Sequence, residues 1–219
     1  MKVKSTKDIQ PTKLNVLIYS SSGSGKTTAI STLPNKTLIV SKESGLLSLK
    51  DFNIDYVEPS SLSDIRKLLV SNDISEYDNI AFDSLTEIAS MFLEEAQSVY
   101  PDDRQALKKW GYFGDSLTKF IKFTRDLNKN VVFTCLEKTT EDNLGRRFNV
   151  PDVQGQLSKK LPAFFDFVFS LQVIEKEDGE KIRAFLTQPV EGYICKDRSG
   201  KLDLYEKPDF CEILKKVFA

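Results

Sequence analysis

Leu14-Asn-Val-Leu-Ile-Tyr19 runs directly into Ser20-Ser-Ser-Gly-Ser-Gly-Lys-Thr27. Six residues, mostly apolar, then a loop of small residues, then Gly-Lys-Thr read as a buried strand, a tight turn and a helix start. The pattern G-x-x-x-x-G-K-[ST] is met except at its first position, where Ser20 stands for glycine. A loop that wraps phosphate must turn its backbone N–H groups inward, which large side chains or the wrong φ would prevent. Gly23 and Gly25 permit that turn, and the helix that follows points the positive end of its dipole at the phosphates. Ser22, Gly23, Ser24, Gly25, Lys26, Thr27 and Thr28 are therefore the candidate nucleotide-binding residues. Lys26 would bridge the β- and γ-phosphates of ATP, and the Thr27 hydroxyl would bind Mg²⁺. The bland alternative is a Ser/Gly surface turn with a chance Gly-Lys-Thr, and the apolar strand in front of the loop argues against it.

Such a loop needs a second carboxylate for the magnesium shell. Tyr77-Asp-Asn-Ile-Ala-Phe-Asp83-Ser84 supplies an apolar strand that ends in Asp83, where open α/β sheets bind ligands. An aspartate before a capped helix is common in itself; after a phosphate loop, Asp83 reads as the second metal residue beside Thr27.

Outward from these two segments, apolar runs alternate with amphipathic stretches. Strands are expected at Leu14–Tyr19, Thr37–Val40, Asn79–Asp83, Val131–Leu136 and Phe167–Val173. Helical spacing marks Leu62–Val70 and Ser116–Leu127, and Ser84-Leu-Thr-Glu87 is a capping box before a helix that runs to about Val99. Alternation of this kind implies an α/β fold, with a mostly parallel sheet and helices on both faces. The last third reads as an antiparallel meander, Phe167–Glu175, Ile182–Gln188 and Tyr193–Lys196, closed by a helix near Asp209–Phe218. Residues 1–13 read as an N-terminal arm and 14–219 as one domain. Two polar stretches, Tyr100–Gly114 and Glu137–Gln156, read as long loops, a length that usually signals function or disorder.

Composition narrows the function classes. The 219 residues are 40% hydrophobic and 29% charged, which is globular. A net charge of −1 argues against nonspecific coating of nucleic acid, although a basic groove can coexist with an acidic remainder. The chain has no histidine, which removes Ser-His-Asp catalysis, His-ligated zinc and any imidazole base; carboxylates must supply base chemistry. Cys135, Cys195 and Cys211 match no metal spacing or disulfide framework. No apolar run reaches the roughly 18 residues of a membrane helix, and the basic start lacks the apolar core of a signal peptide. A soluble cytoplasmic protein with no membrane partner is expected.

Three further segments carry a family resemblance. Phe82-Asp83-Ser84-Leu85-Thr86 looks like the metal-binding run of RecA-like P-loop ATPases. Leu38-Ile-Val-Ser-Lys-Glu43-Ser-Gly45 resembles their Asp-Thr-Glu-Gly segment, with Ser41 and Lys42 at the first two positions; the resemblance makes Glu43 the residue that activates the attacking water. Ile194-Cys-Lys196-Asp-Arg198-Ser-Gly200 resembles their K-x-R finger, in which the lysine and arginine reach a neighbouring subunit's γ-phosphate. Lys196 and Arg198 are thereby implied to act in trans, within a homo-oligomeric ring or filament. The order of motifs is similar to the compact phage RecA-like proteins of the Sak recombinase group, over about residues 14–218. Those relatives often carry histidine or glutamine after the fourth core strand as a γ-phosphate sensor. Here Cys135 and Leu136 stand in that region, with Thr134 or Glu137 as substitutes.

In RecA-like proteins the loops after the helix that follows the metal-binding aspartate, here the helix running to about Val99, and after the next core strand bind DNA, and the two polar stretches fall at those places. The first holds Arg104, Lys108, Lys109 and Trp110; the second holds Arg146, Arg147 and Phe148. Cations follow phosphates and aromatic faces stack on bases without a sequence requirement. The expectation is an ATP-dependent, single-stranded-DNA-binding recombination or annealing protein, phage-encoded, with a single-strand-binding protein as a further partner. The alternatives are a nucleotide-switched replication accessory, such as a helicase loader or regulator, and a small-molecule kinase with Arg146 and Arg147 in a lid.

Overall fold

The computed structural model describes residues 5, 13–42, 45–176 and 178–218. In chain order the elements are β1 (Asn15–Ser20), α1 (Lys26–Ile30), β2 (Thr37–Ser41), β3 (Asp55–Val57), α2 (Leu62–Val70), β4 (Asn79–Asp83), α3 (Leu85–Val99) and α4 (Ala106–Arg125). There follow β5 (Asn130–Glu141), β6 (Arg147–Pro151), α5 (Leu157–Lys160), β7 (Phe167–Glu175), β8 (Lys181–Leu186), β9 (Lys196–Asp197), β10 (Tyr205–Glu206) and α6 (Phe210–Phe218).

The sheet runs β10-β8-β7-β1-β5-β4-β2-β3, with β6 attached to β5 and β9 to β7. From β7 to β3 every neighbouring pair is parallel; β8 and β10 add an antiparallel edge. The expected α/β architecture, with its parallel core and antiparallel extension, is present.

Side-chain alternation explains why β1 reads as an unbroken apolar run. Leu17 and Tyr19 face the core beneath α2, α3 and α4, together with Phe82, Phe133 and Val168. Val16 and Ile18 face the opposite core beneath α1 and α6, with Val132, Phe169 and Phe185. A central strand buried on both faces has no polar face to show. Among the described residues, no helix is long and apolar enough to cross a membrane.

The expected boundaries of α2 and β4 agree with the structure, and the Ser84 hydroxyl caps α3 by accepting from the Glu87 N–H at 3.4 Å. Three expectations are corrected. Most of Tyr100–Gly114 is helix, because α4 begins at Ala106. Gly111 and Gly114 disguise it, each costing about 1 kcal/mol of helix propensity. Burial of Phe113, Leu117, Phe120 and Ile121 on one face outweighs that cost. The Glu137–Gln156 stretch is largely a hairpin: β5 continues to Glu141, and β6 returns in antiparallel register, Lys138 opposite Val150 and Glu141 opposite Arg147. Its polarity reflects strands that outrun the core. The third strand of the meander is also displaced. Near Tyr193–Lys196, Tyr193 makes isolated bridges to Asn149 and Val190 and the two-residue strand Lys196–Asp197 pairs with β7, while β10 borders β8. The short edge strand β3 carried no sequence signal.

Candidate functional site

The phosphate loop leaves β1 at Ser20 and enters α1 at Lys26. Gly23 (φ 75°) and Gly25 (φ 106°) occupy the left-handed region, so both turn glycines are required by backbone geometry. Ser20, at the position of the motif's first glycine, is buried, and its hydroxyl lies 2.5 Å from the Ser24 hydroxyl. The departure from the motif is a cross-loop tie as well as a tolerated side chain. Lys26 Nζ folds inward and donates to the carbonyls of Ser20 at 2.9 Å and Ser21 at 2.8 Å. Because α1 spans only five residues, its dipole adds little, and the loop's own N–H groups are the main anion donors.

Strand order brings the remaining groups to the loop. With β5 between β1 and β4, Asp83 ends a strand two positions from the loop. Thr27 Oγ1 donates to Asp83 Oδ2 at 2.7 Å, and the Thr134 hydroxyl donates to the other carboxylate oxygen. Thr134 pairs in register with Ile18, so β5 carries it to the level of the loop's base. Three residues on, Glu137 accepts a 2.5 Å hydrogen bond from Ser21. Both residues considered as sensor substitutes therefore lie at the site.

A hydroxyl and one carboxylate, both hard oxygen donors, fit a cation such as Mg²⁺ that takes its other ligands from phosphate and water. Among the described residues there is no cluster of three or more acidic, histidine or cysteine groups that would build an all-protein cage. Thr27 and Asp83 would hold such an ion, which would neutralise charge on the phosphates.

Glu43 lies outside the described residues. The strand that leads to it ends at Ser41, the register partner of Asp83. Thr28 is exposed on α1, and Ser22 is exposed on the loop.

Lys196 and Arg198 are not brought to the loop of their own chain. Lys196 pairs with Val168, which pairs with Leu17, so both cations lie towards the far end of β1. Lys196 Nζ donates to the carbonyls of Phe165 at 2.7 Å and Pro162 at 3.4 Å. Burial, followed by the neighbouring Arg198 charge, lowers its pKa. The Arg198 guanidinium forms an ion pair with Asp166.

The residues expected to contact DNA fall in two places. Arg104 pairs with Asp102 in the turn before α4. Lys108 is exposed on α4 and Lys109 donates to Gln97 at 3.1 Å. Trp110 is 42% exposed, packs edge-on against Phe113 and has Gly155 against its ring. Placement of Lys108, Lys109 and Trp110 on a helix corrects the loop expected there. Arg146 and Arg147 pair with Asp142 and Glu141 at the hairpin end, and the Arg146 guanidinium lies 5.9 Å from the Phe148 ring centre.

Two contacts had no sequence signal. Tyr19, one residue before the loop, carries its hydroxyl to Ile194 and Asn149. Arg183 of β8 donates from Nε to the Ser24 carbonyl at 2.7 Å.

Comparison with curated proteins gives no match. The family model described as AAA domain matches residues 12–199, which include the phosphate loop, Asp83, the β5–β6 hairpin and the Lys196–Arg198 segment. A phosphate loop closed by Asp83 across an inserted strand, within a family match over most of the chain, means that this protein belongs to the AAA domain family of P-loop ATPases.

Proposed function

We propose that this chain is an ATP-dependent single-stranded-DNA-binding protein of recombination or strand annealing, which hydrolyses ATP between the subunits of a ring or filament. The observation that carries this reading is continuity. The strand that places Thr134 and Glu137 at the phosphate loop runs on into the hairpin bearing Arg146, Arg147 and Phe148. A change at the phosphates has a short, stiff path to a tip that carries two arginines and an aromatic ring. Exposed ion pairs such as Arg146–Asp142 contribute little to stability, so those arginines can exchange a carboxylate for a DNA phosphate at small cost. A cleft of about 480 Å³ beside Trp110, Lys160 and Gln156 offers a second polar and aromatic surface.

In this reading Lys26 binds the β- and γ-phosphates of ATP, Thr27 and Asp83 hold Mg²⁺, and Glu43 orients the attacking water. Lys196 and Arg198 face away from their own loop, so they serve a neighbour's nucleotide in a head-to-tail assembly. The Sak-type resemblance of the motif order supports the recombination role. The kinase reading is less favoured, because the Arg146–Arg147 segment is a paired hairpin and not a hinged lid.

Binding to a labelled single strand, measured by anisotropy with ATP and Mg²⁺ at 50 to 200 mM salt, tests the DNA assignment. The expected result is binding that weakens steeply with salt, with a shallower salt dependence for Arg146→Ala/Arg147→Ala. Absence of salt-sensitive binding in every nucleotide state would rule the assignment out. For the assembly, Arg198→Ala and Glu43→Gln proteins should each turn over slowly and partly recover when mixed. No recovery at any ratio would reject a finger in trans.

A further inference from the structure

Arg183 sits on β8 opposite Val173, two residues from Phe185, whose ring is buried beneath α6. Strand alternation puts residues 183 and 185 on the same face, the one covered by α1 and α6. A cation at this exposed strand end would ordinarily extend into solvent. Arg183 instead folds over the phosphate loop: Nε donates to Ser24 O at 2.7 Å, and Cδ and Nε lie 3.1 Å from where a Gly25 Cβ would stand. The close approach gives Gly25 a second reason to lack a side chain, beyond its positive φ.

The hydrogen-bond balance of this arginine is incomplete. A guanidinium carries five N–H donors, and Nε uses one of them here. Among the described residues, Arg183 has no carboxylate partner, and no acceptor is seen for Nη1 or Nη2. Lys26 and Arg183 are the cations that contact loop backbone among the described residues. A planar cation with its two outer nitrogens unengaged at the rim of a phosphate loop suits the paired oxygens of a phosphate.

We propose that Arg183 is a nucleotide-contacting residue in cis, which clamps the Ser24–Gly25 peptide with Nε and offers Nη1 and Nη2 to the phosphate chain. This rests on the reading of the loop as a nucleotide site. Arg183 lies against Ser24 and Gly25, where loop amides of such motifs hold the inner phosphates. Asp83, Thr134 and Glu137 approach the loop from β4 and β5, on the other side of β1 from β8. The Arg183 contribution is therefore shared by ATP and ADP, unlike that of a finger directed at the γ-phosphate. It also ties the β7–β8 hairpin to nucleotide occupancy.

Titration of fluorescent ATP and ADP in Mg²⁺ against wild type, Arg183→Lys, Arg183→Gln and Arg183→Ala tests the proposal. The glutamine and alanine variants should bind both nucleotides about tenfold more weakly, as for loss of a charge-assisted hydrogen bond. Lysine, which keeps the charge, should recover part of that loss. Thermal midpoints should match wild type, because the side chain is exposed. Wild-type affinity in Arg183→Gln would overturn the proposal, reducing the contact to a neutral clamp if Arg183→Ala alone weakens binding. A loss confined to ATP would overturn it too, by moving the contact to the γ-phosphate. A wild-type chain that binds neither nucleotide would overturn both this proposal and the nucleotide reading, so the two failures are distinguishable.

Discussion

Thr27 Oγ1 and Asp83 Oδ2 stand 2.7 Å apart although 55 residues and an intervening strand separate them. The contact closes the phosphate loop onto the end of β4 and brings together two hard oxygen donors of the kind that hold Mg²⁺. Asp83→Asn keeps an oxygen for Thr27 and removes the charge. Turnover with Mg²⁺ and ATP should fall on the order of 10²-fold or more. The circular dichroism spectrum and thermal midpoint should stay near wild type. Phosphate release at the wild-type rate would remove Asp83 from the reaction.

Thr134 holds the other oxygen of Asp83. Thr134→Val preserves shape and deletes that donor, leaving the carboxylate to swing away from its Thr27 orientation. Loss of an outer partner of a metal ligand typically costs about 10- to 100-fold in metal affinity or activity. A Mg²⁺ titration of ATP turnover should therefore shift to higher metal concentration, with maximal rate partly recovered at saturation. An unchanged half-saturating concentration would show that Thr134 is a packing residue only.

The parts of the site carried by local chain were legible from sequence, and the parts carried by strand neighbours were not. Gly23, Gly25 and Lys26 follow one another after an apolar strand, so both the turn and its purpose could be read directly. Asp83 was legible because β4 is short, apolar and ends where a serine caps the next helix. Which strand lies between β1 and β4 is a property of topology, so family resemblance could offer Thr134 as a γ-phosphate sensor but not its contact with Asp83. Arg183 meets Ser24 across 159 positions and gives no periodic signal at all. The α4 error has a different cause: Gly111 and Gly114 lower local propensity, while the packing that restores the helix comes from α3.

Three buried acids give the fold an alkaline limit. Burial pushes the Cys135 thiol up to about 12 and the Cys195 thiol up to about 11, and it raises Tyr19 as well. In the unfolded chain thiols ionise near about 8.5 and tyrosine near about 10. Below about pH 8 these groups are protonated in both states and contribute no slope. Above that, the unfolded chain releases protons that the folded chain retains, so stability falls as pH rises. The slope approaches about 1.4 kcal/mol per pH unit for each group so engaged. Urea midpoints should be flat from pH 7 to 8 and drop between about pH 9 and 11. Cys135→Ala should start from a lower midpoint and show a shallower decline. A midpoint independent of pH up to 11 would contradict the assignment.

Tyr19 precedes the phosphate loop by one residue, and its hydroxyl bonds three backbone groups: it receives the Ile194 N–H at 3.1 Å and lies 3.2 and 3.3 Å from the carbonyls of Ile194 and Asn149. Asn149 belongs to the hairpin that carries Arg146 and Arg147, and Ile194 leads into Lys196 and Arg198. One phenol thus joins the base of the loop to both segments proposed to act outside it. Tyr19→Phe leaves the ring in its core and strands a half-buried N–H, at a cost of about 1 kcal/mol. Lys26 and Asp83 are untouched, so nucleotide affinity should change little. Amide exchange should speed up at Asn149 and from Tyr193 to Lys196, and ATP should no longer alter it there. If the variant loses stability while these amides keep their wild-type response to ATP, the phenol is a structural tie and the signal reaches the hairpin through Thr134 and Glu137 instead.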